Sequence, residues 1–315
     1  MKLPRALIDG WLRGAESGQV HNKSETRHQK IERLRKREIP APTALTCAGK
    51  QDGAGAQIHA AISTIASCRA LGLSYAHTPL SKVAHTSSDG EISDWERFLS
   101  LSDFADTELD PNLPRIDLYE YLSEPGSAPK RFVAVVENMH FYMNRFPHFY
   151  EPLYQRLRSN AHLEVTRNLN DRPIVSLHVR RGDVNAAIAN RYTPNEFIVS
   201  LVNDLSSRLP ILQNCPWDFQ LYSQGDESDF ADLVSNFPDI CLMLDTPPID
   251  AIRGLANADV MIMAKSSFSY VAALLCAGNV VYEPFWHAPQ RDWITISASN
   301  DIPKQRWQVV RSDLE

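Results

Sequence analysis

Between Ile174 and Glu283 the sequence alternates short apolar, β-branched runs with stretches of helical period. The runs fall at 174–179, 217–222, 240–244, 260–263 and 280–283, and helical patterns at 193–208, 226–237, 249–256 and 266–278 lie between them. Runs this short and this apolar suit strands buried on both faces, and strict alternation with helices predicts a parallel, doubly wound sheet. In such a sheet, ligands bind just beyond the carboxyl ends of the strands. The first half repeats the rhythm more loosely, with strands expected at Thr43–Cys47, Leu73–His77 and Phe132–Val136 and helices at Ile58–Leu71 and Pro152–Leu163. A chain of 315 residues has room for two such lobes, each with its own core. The expected fold class is α/β, as two Rossmann-like lobes facing a cleft. The boundaries are 41–168 and 169–290, after a basic N-terminal arm at 1–40 and before a tail at 291–315 that packs back across the lobes.

The strand opening the second lobe, Ile-Val-Ser-Leu-His-Val-Arg-Arg-Gly-Asp from Ile174 to Asp183, places two fixed positive charges where the sheet stops. With alternating side-chain directions His178 and Arg180 share a face, while Arg181 points the other way or begins the loop. Guanidinium forks at such a place suit a multiply charged oxyanion such as a diphosphate. A strand merely running into a solvated basic loop is the plainer reading, and Arg181-Gly182-Asp183 also spells an adhesion tripeptide. Position at a strand end of an α/β sheet favours the anion site.

If the second lobe is parallel, Arg180, Arg181, the segment from Gln224 to Asp226, that from Asp245 to Asp250, and Ser266, Ser267 and Ser269 converge on one crevice. The serines open a helix, where free amides and hydroxyls can hold phosphate oxygens, although helix capping alone accounts for such residues more often. In the first lobe a glycine-rich turn, Gly49 to Gln57, joins a strand to a helix. It fails the Walker pattern, with Ala44 and Gln51 at required positions, and the dinucleotide fingerprint, with Ile58 where a third glycine belongs. It remains either an ordinary βα turn or a cradle for an anion or sugar. His77 ends a strand on the same side and is a candidate to line the cleft. The aromatic run from His140 to Tyr150 reads as core packing.

A formal charge of −6 and the lack of a basic stripe or recognisable motif argue against nucleic acid as a partner. The five widely spaced cysteines read as reduced thiols of a cytoplasmic protein, and no Cys-x-x-Cys or His-Glu-x-x-His pattern offers a metal site. No apolar run reaches membrane-spanning length. The polar segment from His21 to Glu38 could be a solvated helix or a basic amphipathic arm touching a membrane periphery, with Ile31 and Leu34 as its apolar stripe.

His178-Val179-Arg180-Arg181-Gly182-Asp183 resembles the His-x-Arg-Arg-x-Asp signature of the α1,2-, α1,6- and related GDP-fucose-dependent fucosyltransferases, which have the two-lobed GT-B fold. The turn at Gly53, Gly55 and Gln57 is similar to the family's Gly-x-Gly-Asn-Gln, with Ala56 in place of asparagine. Residues from Asp250 through Asp259 to Ser266-Ser267-Phe268-Ser269 resemble its C-terminal region. The resemblance implies an inverting transfer of fucose from GDP-fucose to a hydroxyl of a glycan acceptor. Arg180, Arg181 and Ser267 would hold the diphosphate, with Ser266, Ser269 and Asp226 near it, while His178 lies against the nucleoside and Asp250 accepts hydrogen bonds from guanine. Gly53, Gly55, Gln57 and His77 would line the acceptor side. Asp183 is the nearest carboxylate to the signature, either as base or as orienter of Arg180, because the loop Ala187-Ile188-Ala189 lacks the glutamate of the α1,6 relatives. No Asp-x-Asp pair occurs, so arginines and a helix N-terminus take the place of a metal ion and no cofactor is expected. Other readings are a GT-B transferase using a different nucleotide sugar, a pyruvyl-type polysaccharide transferase, or an inactive nucleotide- or glycan-binding protein.

Overall fold

The computed structural model describes residues 25–80, 82–84, 89–163, 172–188, 190–213, 215–298 and 307–310. The first described element is α1 (Arg27–Arg35), opened by a capping box between Thr26 and Gln29. Its stripe, Ile31 and Leu34, is buried in the first lobe, and Arg33 and Arg35 pair with Glu25 and Glu32. The apolar face that a membrane contact would use is therefore turned inward. No helix among the described residues is long and apolar enough to cross a membrane.

The first lobe continues through β1 (Ala44–Cys47), α2 (Ala54–Leu71), α3 (Asp89–Leu99), β2 (Arg115–Asp117), α4 (Leu118–Ser123), β3 (Val133–Val136), the single turn α5 (His140–Met143) and α6 (Glu151–Asn160). Its sheet is parallel, in the order β1-β3-β2. The strand expected at Leu73–His77 is reduced to one bridge, Leu45 to Tyr75. The far side of that segment is taken by the loop after α3, since Asp106 accepts from the Tyr75 amide and donates back to its carbonyl. The helix expected from Ile58 starts four residues earlier, so the glycine turn belongs to the helix itself, with Gly53 as its cap.

The second lobe comprises β4 (Ile174–His178), α7 (Asn195–Arg208), β5 (Asp218–Ser223), α8 (Ala231–Asn236), β6 (Cys241–Leu244), α9 (Pro248–Ala256), β7 (Val260–Ile262), α10 (Ser267–Leu275), β8 (Asn279–Tyr282), β9 (Ile294–Ala298) and β10 (Trp307–Val310). These strands form one seven-stranded sheet, ordered β10-β9-β8-β7-β4-β5-β6 and parallel except for β10. The doubly wound expectation holds, and the switch of strand order falls at β4. Within the tail after residue 290, β9 and β10 add strands to this sheet. The boundary expected near residue 168 lies outside the described residues.

Strand parity sorts the second core. Val175, Leu177, Val260 and Ile262 face α7 and α8, whereas Met261, Val280 and Tyr282 face α9 and α10 and join a core continuous with the first lobe. The two lobes touch where α2 packs on α10, and there Gly55 is required. A Cβ on it would stand 2.5 Å from Phe268 Cα and 2.7 Å from Phe268 N, both backbone atoms that no rotamer change can move aside. Gly55→Ala should cost about 1–3 kcal/mol in urea unfolding. Gly53→Ala, whose Cβ meets nothing within 4 Å, should cost markedly less.

Candidate active site in the cleft between the lobes

Between the lobes lies a cleft of about 880 Å³, within the size range of small-ligand sites. The ends of β1, β3, β4, β5 and β6 and the starts of α2 and α10 supply its walls, so two helix N-termini with outward-pointing amides border one space. Lys50, Arg180 and Arg191 add positive charge, and Asp52, Asp183 and Asp245 are the carboxylates on its lining.

The signature strand divides at its end. Arg180 faces the cleft and is forked onto Asp183, with Nε to Oδ1 at 3.0 Å and Nη2 to Oδ2 at 2.6 Å. Arg180 thereby holds the Asp183 carboxyl below its usual range. Arg181 borders the cleft but is only 7 % exposed, and its guanidinium is occupied elsewhere. It donates to the Arg180 carbonyl, to the Thr193 carbonyl at 3.0 Å and to Asn195 Oδ1 at 2.7 Å, and it lies 4.4 Å from the Tyr192 ring centroid. The paired grip expected of Arg180 and Arg181 is thus not what the strand end presents. The cause is parity: the two residues leave the strand on opposite sides, and Arg181 lands beside the start of α7.

His178, at the end of β4, tilts against Phe268 with ring centroids 5.3 Å apart. Its Nδ1 is buried without a hydrogen-bond partner among the described residues, and burial with the Arg180 charge nearby pushes its pKa down to about 3. Ser267 opens α10 at the cleft and shares a 2.9 Å hydrogen bond with His287 Nε2. Its neighbours act differently. Ser266 caps the helix by accepting from the Phe268 amide, and Ser269 is fully buried, donating to the carbonyls of Ala264 and Ser266.

The remaining expected residues stand away from this lining or serve the fold. Asp226 is the cap of a short 3-10 turn, in a capping box with Asp229. Asp250 is exposed on α9, paired to Arg253 at 3.2 Å, and borders a separate hollow with Arg97 and Phe98. The placement of Asp250 offers nothing to a guanine held in the main cleft. Gln57 is buried and donates to the carbonyls of Asp52 and Lys82, stapling the glycine turn. His77 lies between the Tyr75 hydroxyl at 3.0 Å and Glu96 at 2.9 Å. Of the acceptor-side candidates, only Gly53 and Gly55 reach the cleft. Thr193, in the loop before α7, donates to Glu283 Oε2 at 3.0 Å.

Several lining residues were not singled out as candidates from the sequence: Lys50, Asp52, His59, His140, Arg191, Trp286 and His287. Most follow the carboxyl end of a strand, β1, β3 or β8, and that position was the available signal. His59, His140 and His287 form a cluster of neutral rings. His59 and His287 centroids are 4.1 Å apart, His140 and His287 5.1 Å. Burial pushes His140 down to about 4 and the other two well below the usual imidazole value. Among the described residues no group of three or more His, Cys, Asp or Glu is placed to hold a metal ion.

No family model matches the sequence, and no curated protein is recognisably similar to it. Among solved structures, E. coli heptosyltransferase WaaC with ADP-2-deoxy-2-fluoro heptose aligns at 12% identity and a TM-score of 0.43, covering 81% of this chain and 93% of that one. The same enzyme with ADP aligns at 13% identity and a TM-score of 0.42, covering 81% and 91%.

The depressed histidines set a pH dependence. For His178 and His140 the folded pKa lies below the ordinary imidazole value of about 6.5, so the unfolded chain binds more protons between those limits. Their contribution to stability is complete above about pH 6.5 and is lost as pH falls towards 4 and 3. The melting temperature should fall between pH 7 and 5, above the carboxylate range, and His178→Asn should flatten that slope.

Proposed function

We propose that the chain is a glycosyltransferase of the two-lobed GT-B type, transferring a sugar from a nucleoside diphosphate to the hydroxyl of a glycan acceptor without a metal ion. The carrying observation is Arg180, presented to a cleft of about 880 Å³ beside the N-termini of α2 and α10. Negative charge grows on the departing diphosphate as the glycosidic bond breaks. Amide dipoles and a guanidinium already aimed at that space lower the barrier without reorganising. Ser267 adds a hydroxyl at the same helix start.

For the acceptor proton, Asp52 is the carboxylate that the first lobe brings to the lining. It is 62% exposed and paired with Lys50 at 2.5 Å, whereas Asp183 is tied to Arg180 and Asp245 belongs to the second lobe. In the displacement the acceptor oxygen bonds to the anomeric carbon, its proton passes to Asp52, and the sugar–oxygen bond electrons leave with the diphosphate. A base in this role contributes about 10² to 10⁴ in rate.

GDP-fucose is the donor that the His-x-Arg-Arg-x-Asp resemblance favours, and it rests on that motif. Because Asp250 is turned away, Asp245 and Thr246, which border the cleft after β6, are the nearer polar groups for a base. That keeps a different nucleotide sugar as the second reading. Thermal shifts with GDP, ADP, UDP and CDP, followed by transfer assays with GDP-fucose and an oligosaccharide panel in EDTA, test both. GDP should raise the melting temperature most. Arg180→Ala should lose transfer by at least about 100-fold while keeping its fold. A protein stabilised by none of the diphosphates would end the proposal.

A further inference from the structure

Removing Arg181 from the anion grip leaves Arg180 as a lone guanidinium two of whose five donors already serve Asp183. A diphosphate carries more negative charge than that arrangement offers. The cleft lining contains a second guanidinium, Arg191, from the loop between β4 and α7. It lies 5.2 Å from the centroid of the Trp286 ring, which borders the cleft too. Its charge also acts on the Asp183 carboxyl, which places it close to the Arg180–Asp183 pair. Among the described residues no hydrogen bond or ion pair takes up any of its five guanidinium donors.

The loop is built to hold Arg191 there. Its own amide donates to the Ile188 carbonyl at 2.9 Å, as does that of Tyr192. On the next two residues, the Tyr192 carbonyl accepts from Lys265 at 3.1 Å and the Thr193 carbonyl from Arg181 at 3.0 Å. Lys265 is itself paired with Glu283 at 3.1 Å, both little exposed, and Glu283 accepts from the Thr193 hydroxyl. The platform is fixed as well, because Asn144 of the first lobe donates to the Trp286 carbonyl at 2.8 Å and accepts from the Ala288 amide at 2.9 Å. An arginine laid on a tryptophan face loses little freedom on binding an anion, since stacking leaves its in-plane donors open.

We propose that Arg191, stacked on Trp286, is the second guanidinium of the donor site and clamps the nucleoside diphosphate together with Arg180, while Arg181 is the buried strut that holds the loop in place. The inference rests on the reading of the cleft as a nucleotide-sugar site. It assigns the charge pair to residues eleven apart in sequence, not to the adjacent arginines.

Calorimetric titration of the full chain with GDP, and with guanosine as the uncharged control, tests it. Arg191→Gln should weaken GDP about 10- to 100-fold and leave guanosine binding unchanged. Arg191→Lys, which keeps the charge but not the fork or the stack, should fall between the variant and the wild type. Arg181→Met should lower the melting temperature, and its GDP affinity, measured well below that temperature, should fall less than that of Arg191→Gln. Wild-type binding of GDP with Arg191→Gln indistinguishable from it would overturn the clamp alone. Failure of the wild type to bind GDP, ADP, UDP or CDP would remove the nucleotide-sugar reading and the clamp with it.

Discussion

The close approach of α2 to α10, made possible because Gly55 has no side chain to intrude on the Phe268 backbone, is the contact from which the cleft follows. Helices that meet at their N-terminal turns bring two positive dipole ends to one space. A larger residue at position 55 would separate them, and the cleft would lose its shape before any charged residue was changed. The glycine turn therefore serves lobe packing as directly as it serves any ligand. Gln57 supports the same turn from behind by binding two carbonyls.

Electrostatics in the cleft are arranged by burial. Histidines 59, 140, 178 and 287 are held neutral by desolvation and by nearby positive charge, so the site presents no titrating imidazolium near neutral pH. The cations on the lining are lysine and arginine side chains. Burial of the imidazoles leaves the positive charge of the cleft to Lys50, Arg180 and Arg191. The His287 ring meets Ser267, while its Nδ1 stays buried and unpartnered among aromatic rings, so its one polar contact is at the cleft wall.

Much of the second lobe could be read directly, because buried parallel strands are short apolar runs and their alternation with helices admits few topologies. All five expected strand ends lie at the cleft or lead within a few residues to its lining, and Arg180, Asp183, His178 and Ser267 were found by that rule. Where the reading failed, local chemistry had two uses. Serine at a helix start can face a ligand, cap the helix or bond back to the chain, and the three serines here differ in that way: Ser267 meets His287 at the cleft, Ser266 caps the helix and Ser269 donates to buried carbonyls. Asp226 and Asp250 were acidic residues at helix starts, and one became a cap while the other formed an i,i+3 ion pair on the outer face. Histidines 59, 140 and 287 were hidden because burial in an apolar or aromatic run looks the same from sequence whether or not it adjoins a cleft.

The sequence by itself determined the doubly wound second lobe and the strand end carrying the arginines, since hydrophobic period and strand length are local properties of the chain. Only the tertiary structure decided which charges share the cleft. Arg181 is drawn into the wall by the Thr193 carbonyl and the Tyr192 ring of the loop before α7, and Arg191 arrives from that same loop onto a tryptophan that follows β8. Partners so far apart in sequence are set by how loops close over the sheet, and no local pattern encodes that closure.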